Sequence, residues 1–367
     1  PDLSIYKERR EKINIFQPIS FPKNEEVKID VGSPLTYPPD TNIGNRTAFG
    51  NALRHMVEIN SNIADTSPFA VFDCDLKDSV KTAGFNKGAK DKQKYRLFEA
   101  GIQEHHTASM AGALSIEGIL TIFADFGVFG ICETYNQHRL NDMNHSNLKL
   151  ICTHLGIDVG EDGKTHHCID YIGIMRNLFG FKICIPADPN QTDRIFRYIC
   201  KTPGNFLLGM GRSRNPIILT EKGDPFFGDG YVFEYGKMDI IRKGDQACIL
   251  AMGCMLWRAV KAWEILQQKA ISVMVLNVSC PLEIDLELLR IAAQTGLIIT
   301  YEDHNINTGL GSIVAEILLK HNIRVKLKKL GIPYYAPSGK PDELFEVSGL
   351  GINRLVEEVE KEVRLNV

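Results

Sequence analysis

From Arg46 onward the apolar residues follow two alternating rhythms. In "RTAFGNALRHMVEI" Ala48, Phe49, Ala52, Leu53 and Met56 recur three and four apart, which places them on one face of a helix. The next apolar run, "FAVFDCD", is short and continuous and predicts a buried strand, as does "KYRLFEAG". "EHHTASMAGALS" predicts a helix whose small residues let a neighbour pack closely. "ILTIFADF", "LKLICTH", "KICIPAD" and "NFLLGMG" predict further strands, and "CETYNQHRLNDM", "YIGIMRNLFG" and "QTDRIFRYICKT" the helices between them. Such alternation implies α/β architecture, a mostly parallel sheet with helices on both faces.

Residues 213–245 break the rhythm with a glycine- and charge-rich stretch and read as a connection between domains. A second α/β alternation follows: "ACILAMGCM", "LWRAVKAWEILQQK", "SVMVLNVSC", "DLELLRIAAQTG", "LIITYED", "SIVAEILLKHN" and "RVKLKKLGI", then two closing helices. The expected organisation is an arm over 1–40, polar and punctuated by proline, a first domain over 41–212, the connection over 213–245 and a smaller domain over 246–367.

Composition narrows the function classes. The 367 residues carry 42 lysines and arginines against 45 acids, a net charge of −3. No basic stripe suggests nucleic acid, and no apolar run approaches the roughly 18 residues of a membrane span. The amino terminus shows no secretory pattern. The nine cysteines are odd in number and never spaced as CxxC, so they read as small buried hydrophobes in a reducing compartment, the cytoplasm. The polar run "VGEDGKTHHCID" at 159–170 is the most concentrated candidate chemistry. A metal reading of His154, His166 and His167 fits no zinc spacing and lacks a cysteine pair, so no metal site is expected on this chain.

"AGIQEHHTASMAGALSIEG", "TIFADFGVFG", "THLGIDVGEDGKTHHCIDYIGIMRN", "PADPNQTD" and "YEDHNINTGLGSIVAEIL" together resemble, in order and spacing, the pyrimidine-binding and carboxy-terminal domains of transketolase, over residues 45–350. The resemblance implies a thiamine diphosphate enzyme that moves a two-carbon ketol unit between sugar phosphates. In that family magnesium holds the diphosphate through a GDG motif followed by asparagines. The Gly228-Asp229-Gly230 of this chain lies in the connection, with no asparagine until Asn277, and reads as an ordinary turn. The chain therefore resembles the carboxy-terminal subunit of a split transketolase. Magnesium and the diphosphate are expected on a separate amino-terminal subunit, with self-association, such as an α2β2 assembly.

By the same resemblance Glu104 is the carboxylate that meets the aminopyrimidine ring and assists proton removal from the thiazolium carbon; on sequence alone it reads first as a helix-start acid complementing the dipole. Phe126 and Phe129 match the aromatic wall of the ring and Asp75 an aspartate near the cofactor, although phenylalanines are most often plain core. Arg46, Ser79, His154 and Arg212 match the phosphate grip; singly, the arginines read as surface ion-pair residues. His166 would hydrogen-bond substrate oxygens near the reacting carbon, and Asp162 the hydroxyl next to the acceptor aldehyde. Cys132 stands where the family usually has a tyrosine, Leu155-Gly156 replace a polar pair, Lys164 a proline, and His167-Cys168 a Gln-Pro pair. Gly156-Ile157 lean towards deoxyxylulose-phosphate synthases. Two other readings stay open: a deoxyxylulose-phosphate synthase or two-oxoacid dehydrogenase β-type subunit, and a non-catalytic partner.

Overall fold

The structure, a computed structural model, describes residues 4–5, 7–8, 25–89 and 96–365. Residues 1–3, 6 and 9–24 of the expected arm lie outside the described residues. Among the described residues, β2 (Phe69–Asp73), β3 (Arg96–Glu99), β4 (Leu120–Phe126), β5 (Lys149–Thr153), β6 (Phe181–Cys184) and β7 (Asn205–Gly209) form a parallel sheet in the order β3-β2-β4-β5-β7-β6. β2 and β5 are buried at every position, which is why they read as continuous apolar runs rather than alternating ones.

Around this sheet lie α1 (Asn45–Asn60), the short α2 (Lys77–Val80) and α3 (Ala83–Gly88), α4 (Glu104–Leu114), α5 (Tyr135–Met143), α6 (Tyr171–Met175) and α7 (Pro189–Lys201). The small residues of α4 let α5 approach: a Cβ at Gly112 would sit 1.9 Å from the Asn141 side chain, whose amide donates to Ala108 O at 3.1 Å. α7 starts on Asp188, whose carboxylate accepts the Gln191 N–H at 2.8 Å, with Pro189 in the first turn. Most of α7 is buried because the arm crosses it: Asp193 and Asn190 accept the N–H groups of Leu35 and Tyr37 at 3.0 and 2.7 Å.

β1 (Asn42–Gly44) pairs antiparallel with β8 (Arg214–Pro216), tying the start of the first domain to the segment after β7. Gly228-Asp229-Gly230 is a turn, with the Tyr231 N–H on Gly228 O at 3.0 Å and the Asp229 carboxylate taken by the Thr36 hydroxyl.

The second sheet runs β13-β12-β10-β11-β9, from β9 (Asp239–Arg242), β10 (Ala247–Ala251), β11 (Val273–Asn277), β12 (Leu297–Asn305) and β13 (Lys326–Ile332); β9 alone is antiparallel. Its helices are α8 (Met255–Gln268), α9 (Leu286–Ala293), α10 (Leu310–Lys320), α11 (Pro341–Val347) and α12 (Ile352–Arg364). One apolar cluster crosses from the first domain to the second, joining Leu155, Tyr171 and Ile185 to Leu250, Met252 and Leu310. The Ile185 N–H donates to Ser279 O at 2.8 Å across the same junction.

The "YEDHNINTGLGS" run is explained by this packing. Glu302 is buried, and its carboxylate accepts the N–H groups of Leu310 and Gly311 at the start of α10. Gly309 leaves room for it, since a Cβ there would lie 2.0 Å from Glu302 Oε2. Burial pushes the Glu302 carboxyl up to about 8 against those two hydrogen bonds. The motif is a helix cap inside a core.

Candidate active site

The candidate residues gather at the carboxy-terminal ends of the first sheet's strands, where open α/β sheets hold ligands. Glu104 is the first residue of α4 and only 9 % exposed, yet none of the described residues hydrogen-bonds its carboxylate. A Glu104 carboxylate oxygen, Cys74 Sγ and an Asp125 carboxylate oxygen lie within 4.8 Å of one another. Asp125 is fully buried at the end of β4; Oδ1 accepts the Phe126 N–H at 2.7 Å, and Oδ2 has no hydrogen-bond partner among the described residues. Burial, with a smaller push from Glu104, raises the Asp125 carboxyl to about 8. It therefore carries its proton at neutral pH and adds no charge beside Glu104. Asp75, the residue after Cys74, is exposed and in left-handed backbone at φ 66°.

Phe126 follows Asp125, and Phe129 sits on a π-helical turn, Val128–Glu133, with ring centroids 6.2 Å apart. Such turns concentrate at functional sites. The His154 ring lies against Phe126, tilted by 33° with centroids 3.8 Å apart, and the His166 ring stands edge-on 5.3 Å from Phe129. These four rings make one wall, half-buried except for the buried His154.

Beyond that wall lie the cations. Arg46 at the start of α1 donates to Ser79 O on α2 at 2.8 Å. Burial first, and Arg212 second, lower the Arg46 pKa, while Asp158 and Asp162 act the other way. Arg212 donates to Val159 O at 2.9 Å and to the exposed Glu161 carboxylate at 2.6 Å. Asp162 is exposed between Glu161 and Gly163, which has φ 76°. Ring contacts thus join Phe126, Phe129, His154 and His166, Arg46 is linked to Ser79, Arg212 and Asp162, both arginines and His166 act on His154, and Glu104 lies beside Asp125, the residue before Phe126.

His154 departs from a simple phosphate grip. It occupies left-handed backbone at φ 59°, a conformation that costs a non-glycine residue about 1–2 kcal/mol. Its Nδ1 shares a hydrogen bond of 2.8 Å with Thr153 Oγ1. Burial, then Arg46, Arg212, His166 and Lys81, push its pKa down to about 3. It serves as a neutral ring with one free nitrogen rather than a third cation. The ring shifts of His154 in labelled protein, assigned with His154→Gln, are expected to stay flat from pH 5 to 8. A titration near the ordinary histidine value of about 6.5 would contradict this.

Sequence reasoning missed Asp125 and left His167, Cys132 and Cys168 without a setting. Asp125 hides inside a strand pattern. His167, next to His166, is buried, and neither ring nitrogen has a hydrogen-bond partner among the described residues. Cys132 Sγ lies 3.9 Å from Cys168 Sγ and 3.6 Å from Asp170 Oδ1, so two departures from the family pattern touch each other. None of His154, His166 and His167 joins a cluster of donor atoms within ligating distance among the described residues.

Residues 41–215 match the transketolase pyrimidine-binding domain and residues 236–355 the transketolase C-terminal domain. The chain is 31% identical over 325 residues to a putative transketolase C-terminal section from Methanocaldococcus jannaschii, covering 87% of this chain and 97% of that protein. It is 30% identical to a subunit of the apulose-4-phosphate transketolase of Actinobacillus succinogenes, over 77% of this chain and 88% of that protein. A solved structure described as a split gene transketolase, inactive beta4 tetramer, superposes with a TM-score of 0.74 at 28% identity, covering 89% of this chain and 99% of that one. The transketolase of Rattus norvegicus is 25% identical over 92% of this chain and 52% of its own length. No helix among the described residues is long and apolar enough to cross a membrane. With its pyrimidine-binding and C-terminal domains, the chain belongs to the transketolase family.

Proposed function

We propose that this chain is the C-terminal subunit of a split, thiamine diphosphate-dependent transketolase that transfers a two-carbon ketol unit between ketose and aldose phosphates. The carrying observation is the pair of mutually repelling arginines, Arg46 and Arg212, half-buried and both acting on neutral His154, whose ring meets Phe126. The exposed Glu161 and Asp162 offset this pair only from the solvent side, and a sugar phosphate supplies an anion that both guanidinium groups can bind.

The cofactor fits the residues present. Glu104 is mostly buried and free of protein hydrogen bonds among the described residues, and the half-buried Phe126 and Phe129 offer a flat ring its apolar wall. When bound, thiamine diphosphate supplies a carbon nucleophile and an electron sink. Glu104 holds a proton at the pyrimidine nitrogen, with Asp75 at the edge of the same pocket. The phenylalanines exclude water. His166 donates to substrate oxygens near the reacting carbon, and Asp162 accepts from the hydroxyl beside the acceptor aldehyde. Arg46, Arg212, Ser79 and His154 take the phosphate.

The diphosphate and magnesium ligands belong on a partner subunit, giving an α2β2 assembly. Two relatives that this chain covers almost end to end support this, one named as a C-terminal section and the other as a split gene product. Nine cysteines without a disulfide fit the cytoplasm. Pyruvate-type donor chemistry is the second reading. It is favoured by Gly156-Ile157 and by a 30% identical 1-deoxy-D-xylulose-5-phosphate synthase from Gloeothece citriformis, 42% of whose length is covered.

Donor choice tests the proposal. In the assembled enzyme Arg46→Ala and Arg212→Ala should each weaken phosphorylated substrates by about 1.5–3 kcal/mol, the scale of hydrogen bonds to a charged partner. Hydroxypyruvate, which has no phosphate, should lose far less. Equal losses for both donors, or turnover of pyruvate in preference to ketose phosphates, would refute the phosphorylated-ketose reading.

A further inference from the structure

The loop that faces substrate is held by the other domain. Asp303, near the end of β12, is 7 % exposed, and its carboxylate accepts the N–H groups of Ile157 at 2.9 Å and Asp158 at 3.2 Å. A Cβ on Gly156 would lie 1.9 Å from Asp303 Oδ2, and φ there is 74°, so only glycine admits the carboxylate to those amides. Asp158 passes the constraint on. It is 1 % exposed, and its Oδ2 accepts the N–H of Ser213, the neighbour of Arg212, at 2.7 Å. Arg212 closes the circuit on Val159 O. On the far side of the loop Ser338 Oγ donates to Glu161 O at 2.5 Å, and a Cβ on Gly160 would come within 3.2 Å of Pro341. The Asn305 N–H on Ile169 O and the Ile172 N–H on His304 Nε2 anchor the loop's exit.

Two carboxylates buried together are an expensive way to join domains. Burial, then Asp158, pushes the Asp303 carboxyl up to about 7, and Asp158 is raised by burial as well. Arg258 on α8 partly offsets both. An apolar contact would hold the domains at lower cost; what the carboxylates add is direction for specific backbone amides.

We infer that the C-terminal domain sets the shape of the substrate loop, with Asp303 as a positioning residue that fixes Ile157 and Asp158 and, through Asp158, the segment carrying Arg212. The consequence for phosphate binding rests on the proposed ketol transfer; the effect on the loop does not.

Asp303→Asn keeps the shape and one acceptor oxygen but turns an N–H2 group towards one of the two amide donors. In the assembled enzyme it should raise KM for a ketose phosphate about tenfold, the worth of one lost hydrogen bond, with kcat changed less than about threefold. KM for hydroxypyruvate should change less than about threefold, whereas a general loss of folded protein would lower kcat for both donors and leave KM alone. Independently of activity, hydrogen exchange in peptides spanning 156–163 and 211–216 should quicken while β10 exchanges as before. Unchanged KM for the ketose phosphate, or wild-type exchange in the loop of a folded variant, overturns the inference. If Asp303→Asn fails to fold, the exposed Ser338→Ala replaces it: exchange at 160–163 should quicken, and unchanged exchange overturns the inference. If the wild-type assembly transfers no ketol, the exchange measurements decide alone, and the failure belongs to the proposed reaction.

Discussion

In the assembled enzyme Glu104→Gln is expected to lower the proposed ketol transfer by about two to four orders of magnitude, the usual worth of a positioned acid–base group, with the fold intact. Glutamine matches the shape of the side chain and can still hydrogen-bond a ring, but it cannot hold the proton there. The position suits that role: Glu104 opens α4, is mostly buried, and meets no protein donor among the described residues. Its acidic neighbour Asp125 keeps its proton below about pH 8, so the substitution leaves no second charge to take over at neutral pH. The competing role, an acid complementing the start of a helix, is worth only about 0.3–1 kcal/mol and concerns stability. Deuterium exchange at the thiazolium carbon of the bound cofactor separates the two. A variant with lowered Tm and unchanged exchange would assign Glu104 to the helix alone.

The elements legible in the sequence were those whose burial is complete or one-sided. β2 and β5 read as strands because every position is buried, and α1 as a helix because its buried residues share a face. The π-helical turn at 128–133 was not legible, since its extra residue per turn leaves no signal in a pattern judged by a period near 3.6. Glu302 and its glycines were visible as a motif, but their task was not. That task depends on Glu302 at the end of one strand reaching the first amides of the following helix. Asp303 was invisible for a different reason. Its partners, Ile157 and Asp158, lie 146 and 145 residues away, and no local pattern reports a contact between domains. The arginine pair was proposed by resemblance, and its electrostatic coupling emerges only once α1 and the end of β7 are placed side by side. Likewise β9 looked like part of a connection because its four residues are flanked by glycine and charge, whereas pairing with β11 makes it an edge strand.

The purified chain should fold cooperatively and show almost no ketol transfer with thiamine diphosphate and Mg²⁺; adding the diphosphate-binding subunit should restore both cofactor binding and turnover. Folding is expected because both sheets have complete apolar cores and one cluster runs through the junction between them. Inactivity is expected from the donor atoms available. Mg²⁺ needs a near-octahedral set of oxygens, usually one or two carboxylates together with phosphate and water. Among the described residues, the groups close enough to share an ion are Cys132–Cys168–Asp170 and Cys74–Glu104–Asp125, each including a thiol that Mg²⁺ does not favour. Asp229 of the Gly-Asp-Gly turn is occupied by Thr36 and lies 3.8 Å from Arg194. The pyrimidine wall alone offers a flat ring one face and one carboxylate, too little to hold a charged diphosphate cofactor against dilution. Calorimetry of the single chain should therefore show weak binding that is insensitive to Mg²⁺, becoming tight and Mg²⁺-dependent once the second subunit is added. Robust turnover by the single chain with cofactor and metal would mean that the diphosphate site lies on this polypeptide after all, and the division of labour between two subunits would be wrong.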